Sequence, residues 1–233
     1  MKKEMSQLKL IVKVLFYALV LPILLIFGFV MIIGEVFCKY ESQTPGLYEK
    51  VYPQETHGYD LSHHNKNINW DKLEGQFVYL KATEGTWFKD PKFESYKKKA
   101  RKHNLKVGAY HFMRPKRTGK QQFNYFKMIV GNDIDLIPVL DIEVKGLSNK
   151  NIKEFIAECE KYYGVKPMIY ANQKYYLKHK SAIKGCKWWM AHYHPSLKSN
   201  YALWQFSDKK KIAGTSIDHN YINPKYTLTD FML

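Results

Sequence analysis

From residue 56 to the C-terminus, short apolar runs alternate six or seven times with stretches patterned as helices. This alternation limits the fold more than any other feature of the chain. Apolar runs of roughly four to eight residues are too short for stable lone helices and read as buried strands. Such runs occupy 57–62, 77–81, 106–112, 136–143, 167–170, 188–191, 202–205 and 216–220. Between them lie a short helix opening at Asn69-Trp70-Asp71 and a helix starting at Asp90-Pro91 that carries Phe93, Tyr96 and Ala100. Two further stripes follow, Phe123-Phe126-Ile129 and Ile152-Phe155-Ile156-Cys159-Tyr163, the second with Ser148 as cap. The segment 82–85 reads as a loop, and 175–180 as one more helix. Strands separated by helices favour a parallel sheet. About eight of them in so short a domain predict an α/β fold, a compact (β/α) barrel with its last helices shortened.

In such barrels the active site is built from polar residues at the C-terminal ends of strands. Asp60, Tyr110, Asp141, Glu143, Tyr170, Gln205 and Asp218 all fall at or just after strand ends. The run 136–143 is the most informative. Side chains alternate along a strand, so Asp141 and Glu143 project to the same side one pleat apart. Paired, partly desolvated carboxylates raise the proton affinity of one of them, as general-acid work near neutral pH requires. The competing reading is an acidic pair that only caps the next helix.

The first fifty residues differ in kind. Lys2, Lys3, Lys9 and Lys13 precede twenty uncharged residues, 14–33, enough for a helix across a bilayer. No small-x-small cleavage site follows, so residues 1–34 read as an uncleaved transmembrane anchor; secretion after cleavage is the alternative. The positive N-terminus places the remainder outside the cytoplasm. Residues 35–55, with Pro45, Gly46 and Pro53, read as a linker, and 56–233 as the catalytic domain. The net charge of +16 comes almost wholly from lysine, with only Arg101, Arg114 and Arg117. Nucleic-acid readers lean on arginine, so that partner is not expected; an anionic cell wall suits the charge, with a merely solvated lysine face as the alternative. Cys159 and Cys186 could pair in an oxidising compartment, or remain thiols. Neither His63-His64 nor His192/His194 has a metal-ligand spacing with a third ligand, so no metal is expected. Trp188-Trp189 reads as strand packing.

Several segments together carry a family resemblance. Gly58-Tyr59-Asp60-Leu61-Ser62, Lys81-Ala82-Thr83-Glu84-Gly85, Asp90-Pro91-Lys92-Phe93 and Gly108-Ala109-Tyr110-His111-Phe112 come first. Leu140-Asp141-Ile142-Glu143, Ile169-Tyr170-Ala171-Asn172, Leu203-Trp204-Gln205-Phe206 and Ile217-Asp218-His219-Asn220 continue in the same order. The series resembles the family 25 glycoside hydrolases, lysozymes also called N,O-acetylmuramidases. The resemblance implies an irregular TIM-like barrel that cleaves the β-1,4 bond between N-acetylmuramic acid and N-acetylglucosamine in peptidoglycan. It also implies Glu143 as general acid, Asp141 orienting or charge-stabilising the reacting sugar, and Asp60 and Asp218 completing an acidic floor. Tyr110, Tyr170, Tyr193 and Trp204 would be sugar platforms, with Gln205 beside them. A monomer acting on glycan strands without a cofactor is expected. Two rivals remain, a wall-binding pseudoenzyme and a chitinase-like barrel hydrolase. Against the first, all four acids are present. Against the second, Leu136 and Val139 stand where the longer acidic motif of chitinase-like enzymes has aspartates.

Overall fold

The computed structural model describes residues 16–17, 56–193, 201–208 and 211–233. Apart from Phe16 and Tyr17, the segment read as spanning a bilayer lies outside the described residues, as does the linker 35–55. Among the described residues no helix is long and apolar enough to cross a membrane. The described residues from 56 onward belong to one compact unit, Tyr48–Leu233.

Within that unit eight strands close on themselves. The parallel series is β1 (His57–Leu61), β2 (Phe77–Glu84), β4 (Lys106–Phe112), β5 (Val139–Asp141), β6 (Met168–Asn172), β7 (Trp188–Ala191) and β8 (Leu203–Ser207). The last strand, β11 (Asp218–Ile222), is antiparallel to both β8 and β1 and seals the barrel. The expectation of an all-parallel sheet is therefore corrected. After β8 the chain makes the hairpin β9 (Lys211–Ile212) and β10 (Thr215–Ser216) where a crossover helix would otherwise stand, so the last strand returns in the opposite direction.

Strand pleating divides the core into layers. Phe77 and Tyr79 of β2, Val139, Met168, Trp189, Leu203 and Ile222 fill the barrel interior. Val78, Leu80, Ala82, Val107, Ala109, Leu140 and Ile169 face outward onto helices. These are α1 (Phe93–Lys102), α2 (Gly119–Val130) and α3 (Asn149–Tyr163), which bury Phe93 and Tyr96, Phe123 and Phe126, and Ile152, Phe155 and Cys159. Gly108 leaves room for the Tyr79 ring, which a Cβ there would meet at 2.1 Å. The Phe231 ring, from the turn Leu228–Phe231, joins the interior cluster, and the Phe231 carbonyl accepts from Ile137 N at 2.8 Å.

Local chemistry sets the ends. Thr118 and Gln121 form a reciprocal capping box on α2, and Ser148 Oγ accepts from Asn151 N on α3. Gly164, in the left-handed conformation (φ 77°), stops α3. Helix α1 starts at Phe93, not Pro91: Asp90 caps the preceding turn through Lys92 N at 2.8 Å. Helix α4 (Gln173–His179) is short, as expected. Strand β2 runs on through Glu84, so 82–84 is strand rather than loop. Cys159 and Cys186 are both free thiols.

Candidate active site

The parallel strands all deliver their C-terminal ends to one rim. There a cleft of about 490 Å³ is lined by Asp60, Tyr110, Asp141, Glu143, Tyr170 and Asp218, among others. Asp218 reaches it by a different route from the rest. It is the first residue of β11, and only the antiparallel run of that strand puts it opposite Asp60 in the ladder.

Asp141 ends β5, and the strand stops there, two residues short of the expected boundary. Its Oδ1 accepts the Glu143 backbone N–H at 3.2 Å. Glu143 thus shares the cleft with Asp141 through a turn closed by a side chain, not through a regular pleat. Tyr170 and Glu143 also wall a second depression of about 410 Å³, with Lys174, His192 and Tyr193 on its far side.

Gln205 is not itself a wall of the cleft. It is buried beneath it and ties four residues together. Its Nε2 donates to Asp60 Oδ2 (2.9 Å) and Asp218 Oδ2 (3.3 Å), while its Oε1 accepts from Tyr170 and Tyr193 (both 2.9 Å). Asn220 Nδ2 makes a second donation to Asp60 Oδ2 at 2.8 Å, and Trp189 Nε1 holds Asn220 Oδ1 at 2.8 Å.

Burial raises the proton affinity of every floor acid, and the charges then sort them. Asp60 is pushed up by burial but held back by donors from Asn220 and Gln205, so it is the better-stabilised anion. Asp218 is pushed up to about 9 by burial and by the Asp60 charge, and its carboxyl hydrogen-bonds to Asp60. At neutral pH Asp218 is therefore the protonated partner. Asp141 is raised well above the carboxylate range by burial and by Glu143, with the Glu143 N–H and Lys81 opposing. Glu143 is raised by burial and then by Asp60, with Lys81 opposing. These acids titrate as a group.

The opposite wall was not legible from strand ends. Lys81 continues the inward face of Phe77 and Tyr79 and is buried. Its Nζ donates to Glu84 Oε2 at 2.7 Å and lies 4.8 Å from the centre of the Phe112 ring. Arg114 reaches Glu84 Oε1 with Nε at 2.8 Å and Nη2 at 2.5 Å. Burial favours protonation of Glu84, but Lys81 and Arg114 outweigh it and hold the carboxyl below its usual range. Period-two alternation was the available signal for Lys81; nothing local announces Glu84 or Arg114.

Two site expectations need correction: Gln205, expected beside the sugar platforms, is buried beneath the cleft, and Trp204 is turned away from it. Trp204 is 2 % exposed, packs with Phe206 and Tyr221, and donates from Nε1 to the His192 carbonyl at 2.5 Å. Its neighbours Leu203 and Gln205 face the barrel interior, so pleating turns Trp204 outward, away from the cleft. Trp189, read as strand packing, is buried but also lines the cleft floor. Of the histidines, His63 binds Asp90 Oδ2 through both N–H (3.0 Å) and Nδ1 (2.7 Å), while His64 lines the cleft. His194 lies outside the described residues. Among the described residues no group of three or more His, Cys, Asp or Glu is arranged to hold a metal ion.

Comparison with known proteins agrees with this arrangement. Lysozyme M1 of Streptomyces globisporus is 30% identical over 197 residues, covering 71% of this chain and 67% of its own. The structure of a family 25 glycosyl hydrolase from Bacillus anthracis matches with a TM-score of 0.69 at 28% identity, covering 77% of this chain and 94% of that one. A family 25 lysozyme from Aspergillus fumigatus matches with a TM-score of 0.66 at 32% identity, covering 76% and 97%. The family model described as Glycosyl hydrolases family 25 matches residues 59–215, which take in the barrel from β1 to the hairpin before its last strand. With an acid-floored cleft at the rim of a closed α/β barrel and two thirds of its length matched, the chain belongs to the family 25 glycosyl hydrolases.

Proposed function

We infer that the chain is a lysozyme, hydrolysing the β-1,4 bond between N-acetylmuramic acid and N-acetylglucosamine in peptidoglycan, with Glu143 as the general acid. One observation carries the assignment of the acid. Among the described residues, Asp60, Asp141 and Asp218 each have a carboxyl oxygen engaged by a neighbouring donor, whereas no hydrogen bond holds the half-buried Glu143 carboxyl. A group that must hand its proton to substrate has to be unengaged, partly open and raised in proton affinity.

Glu143 gives its proton to the glycosidic oxygen as the bond to the anomeric carbon breaks and the electron pair leaves with that oxygen. The sugar left behind carries positive charge, and the anionic members of the floor, Asp60 foremost, stabilise it. Water supplies the hydroxyl that completes hydrolysis and returns a proton to Glu143. Tyr170 and Tyr193, fixed through Gln205, wall the cleft and its neighbouring depression. Gln205 is a positioning residue.

The family acts on a wall polymer outside the cytoplasm, and the predicted span at 14–33 supports display of residues 56–233 from the outer face of a membrane through the linker 35–55. The fragment from about residue 50 onward is then expected to fold and act without the anchor. The deciding experiment is the chemistry of the new ends: digestion of purified peptidoglycan is expected to create reducing N-acetylmuramic acid. Reducing N-acetylglucosamine would mean a glucosaminidase, and free amino groups alone would mean an amidase or peptidase.

A further inference from the structure

Trp87 is the most exposed large apolar side chain among the described residues, at 69 %, and the reaction as derived above makes no use of it. Its position is fixed. Glu84 pairs with Phe88 across a three-residue turn, Gly85-Thr86-Trp87, and Gly85 takes the positive φ of 57° that so tight a turn needs. Phe88 anchors the hairpin from within, 5.4 Å from the His63 ring and 5.5 Å from Lys81 Nζ, and meets the Trp87 ring edge-on at 6.0 Å. Trp87 Nε1 and Arg114 Cγ each lie 3.4 Å from the point where a Cβ on Gly85 would stand. The indole thus borders the Glu84–Arg114 end of the catalytic cleft.

Beyond that edge lies a separate open depression of about 350 Å³, walled by Thr86, Arg117, Gln121, Asn124, Tyr125 and Met128. The two chain segments that bound it, 84–87 and 114–117, are the ones that carry Glu84 and Arg114 in the cleft. Met128, at 68 % exposed, is second only to Trp87 among the large apolar side chains described. An exposed aromatic beside the exposed Asn124 amide and a guanidinium has the chemistry of a sugar site. The apolar face of a pyranose packs on an aromatic ring, and amides and arginine bond its hydroxyls and acetamido group.

We propose that Trp87 and this depression form a distal glycan subsite, which holds an N-acetylhexosamine of the same strand outside the catalytic cleft. The proposal rests on the muramidase reading and adds the path of the strand: out of the acidic floor, past the neutralised Glu84–Arg114 pair, and onto the turn between β2 and β3 (Phe88–Lys89). Such a subsite would favour long strands over short fragments.

The test compares glycan strands stripped of their stem peptides with a tetrasaccharide of the same repeat, using the full chain. Trp87→Ala is expected to lower the ratio of kcat/KM on long strands to that on the tetrasaccharide about tenfold, the upper range for one aromatic contact. Asn124→Ala should lower the same ratio by a smaller factor, and Trp87→Phe should restore most of it. An unchanged ratio in both alanine variants overturns the subsite. A loss seen only when the strands still carry stem peptides overturns the glycan assignment and gives the depression to peptide. A wild-type chain that cleaves neither substrate overturns the muramidase reading itself.

Discussion

Glu143 and Glu84 are the same residue type in the same cleft, and they are set to opposite tasks. Glu143 faces three other acids, is half-buried, and is held by no donor among the described residues; its proton affinity rises. Glu84 sits across the cleft between Lys81 and Arg114, and its proton affinity falls despite burial. One wall therefore favours the protonated carboxyl, while the other keeps a fixed ion pair. Burial acts on both; the sign of the neighbours decides. Lys81 has two roles in this contrast. It neutralises Glu84 by direct contact, and its charge limits how far Asp141 and Glu143 are raised.

The largest effect expected from breaking this contrast is at Glu143. Glu143→Gln keeps the shape but removes the proton, so kcat should fall at least about a hundredfold while wall binding and folding survive. Turnover near normal in a folded Glu143→Gln chain would place the acid elsewhere.

Asp141→Asn comes next, and kcat should fall here too. Asp141 is itself raised well above the carboxylate range, and the charge that raises Glu143 comes from Asp60, so the amide removes a proton donor beside Glu143 rather than the charge that holds its proton. The alkaline limb of the pH–rate profile should stay close to that of the unaltered chain.

Lys81 and Glu84 sharpen the comparison because their variants have opposite signs. Lys81→Met removes a cation that favours the ionised acids, so the alkaline limb should move up by about one pH unit, the scale of one partly screened charge at close range. Glu84→Gln leaves Lys81 and Arg114 uncompensated, and the limb should move down by a similar amount. A purely structural role for this wall would lower activity in both variants without separating the two limbs.

The smallest change expected is in stability. Asp218 is raised in the folded state to about 9 from an ordinary value near 3.8. A group raised on folding contributes its full stability below its unfolded value and loses it as pH climbs through the folded one. Stability should therefore decline from about pH 4 towards pH 9, and Asp218→Asn should flatten that decline. Near pH 8 the variant should melt a few degrees higher, at about 2–4 °C for each kcal/mol of strain relieved. An identical pH dependence of Tm in both chains would show that Asp218 is not the raised acid.

The sequence by itself determined the α/β alternation, the strand positions and the gathering of acids at strand ends, because period-two and helical patterning report local geometry and burial directly. It also contained the means to separate Trp204 from Gln205, since neighbouring residues on one strand face opposite ways and cannot both serve a cleft. Only the tertiary structure decided the direction of β11, which turns on the replacement of a helix by the hairpin 211–216 and brings Asp218 to Asp60. It alone decided, too, which carboxyl is free and which is paired. Glu84 and Arg114 are thirty residues apart in the chain and meet only because β2 and β4 are neighbours in the barrel. Protonation depends on the charges and donors within a few ångströms, and in a barrel those come from strands that are distant in sequence.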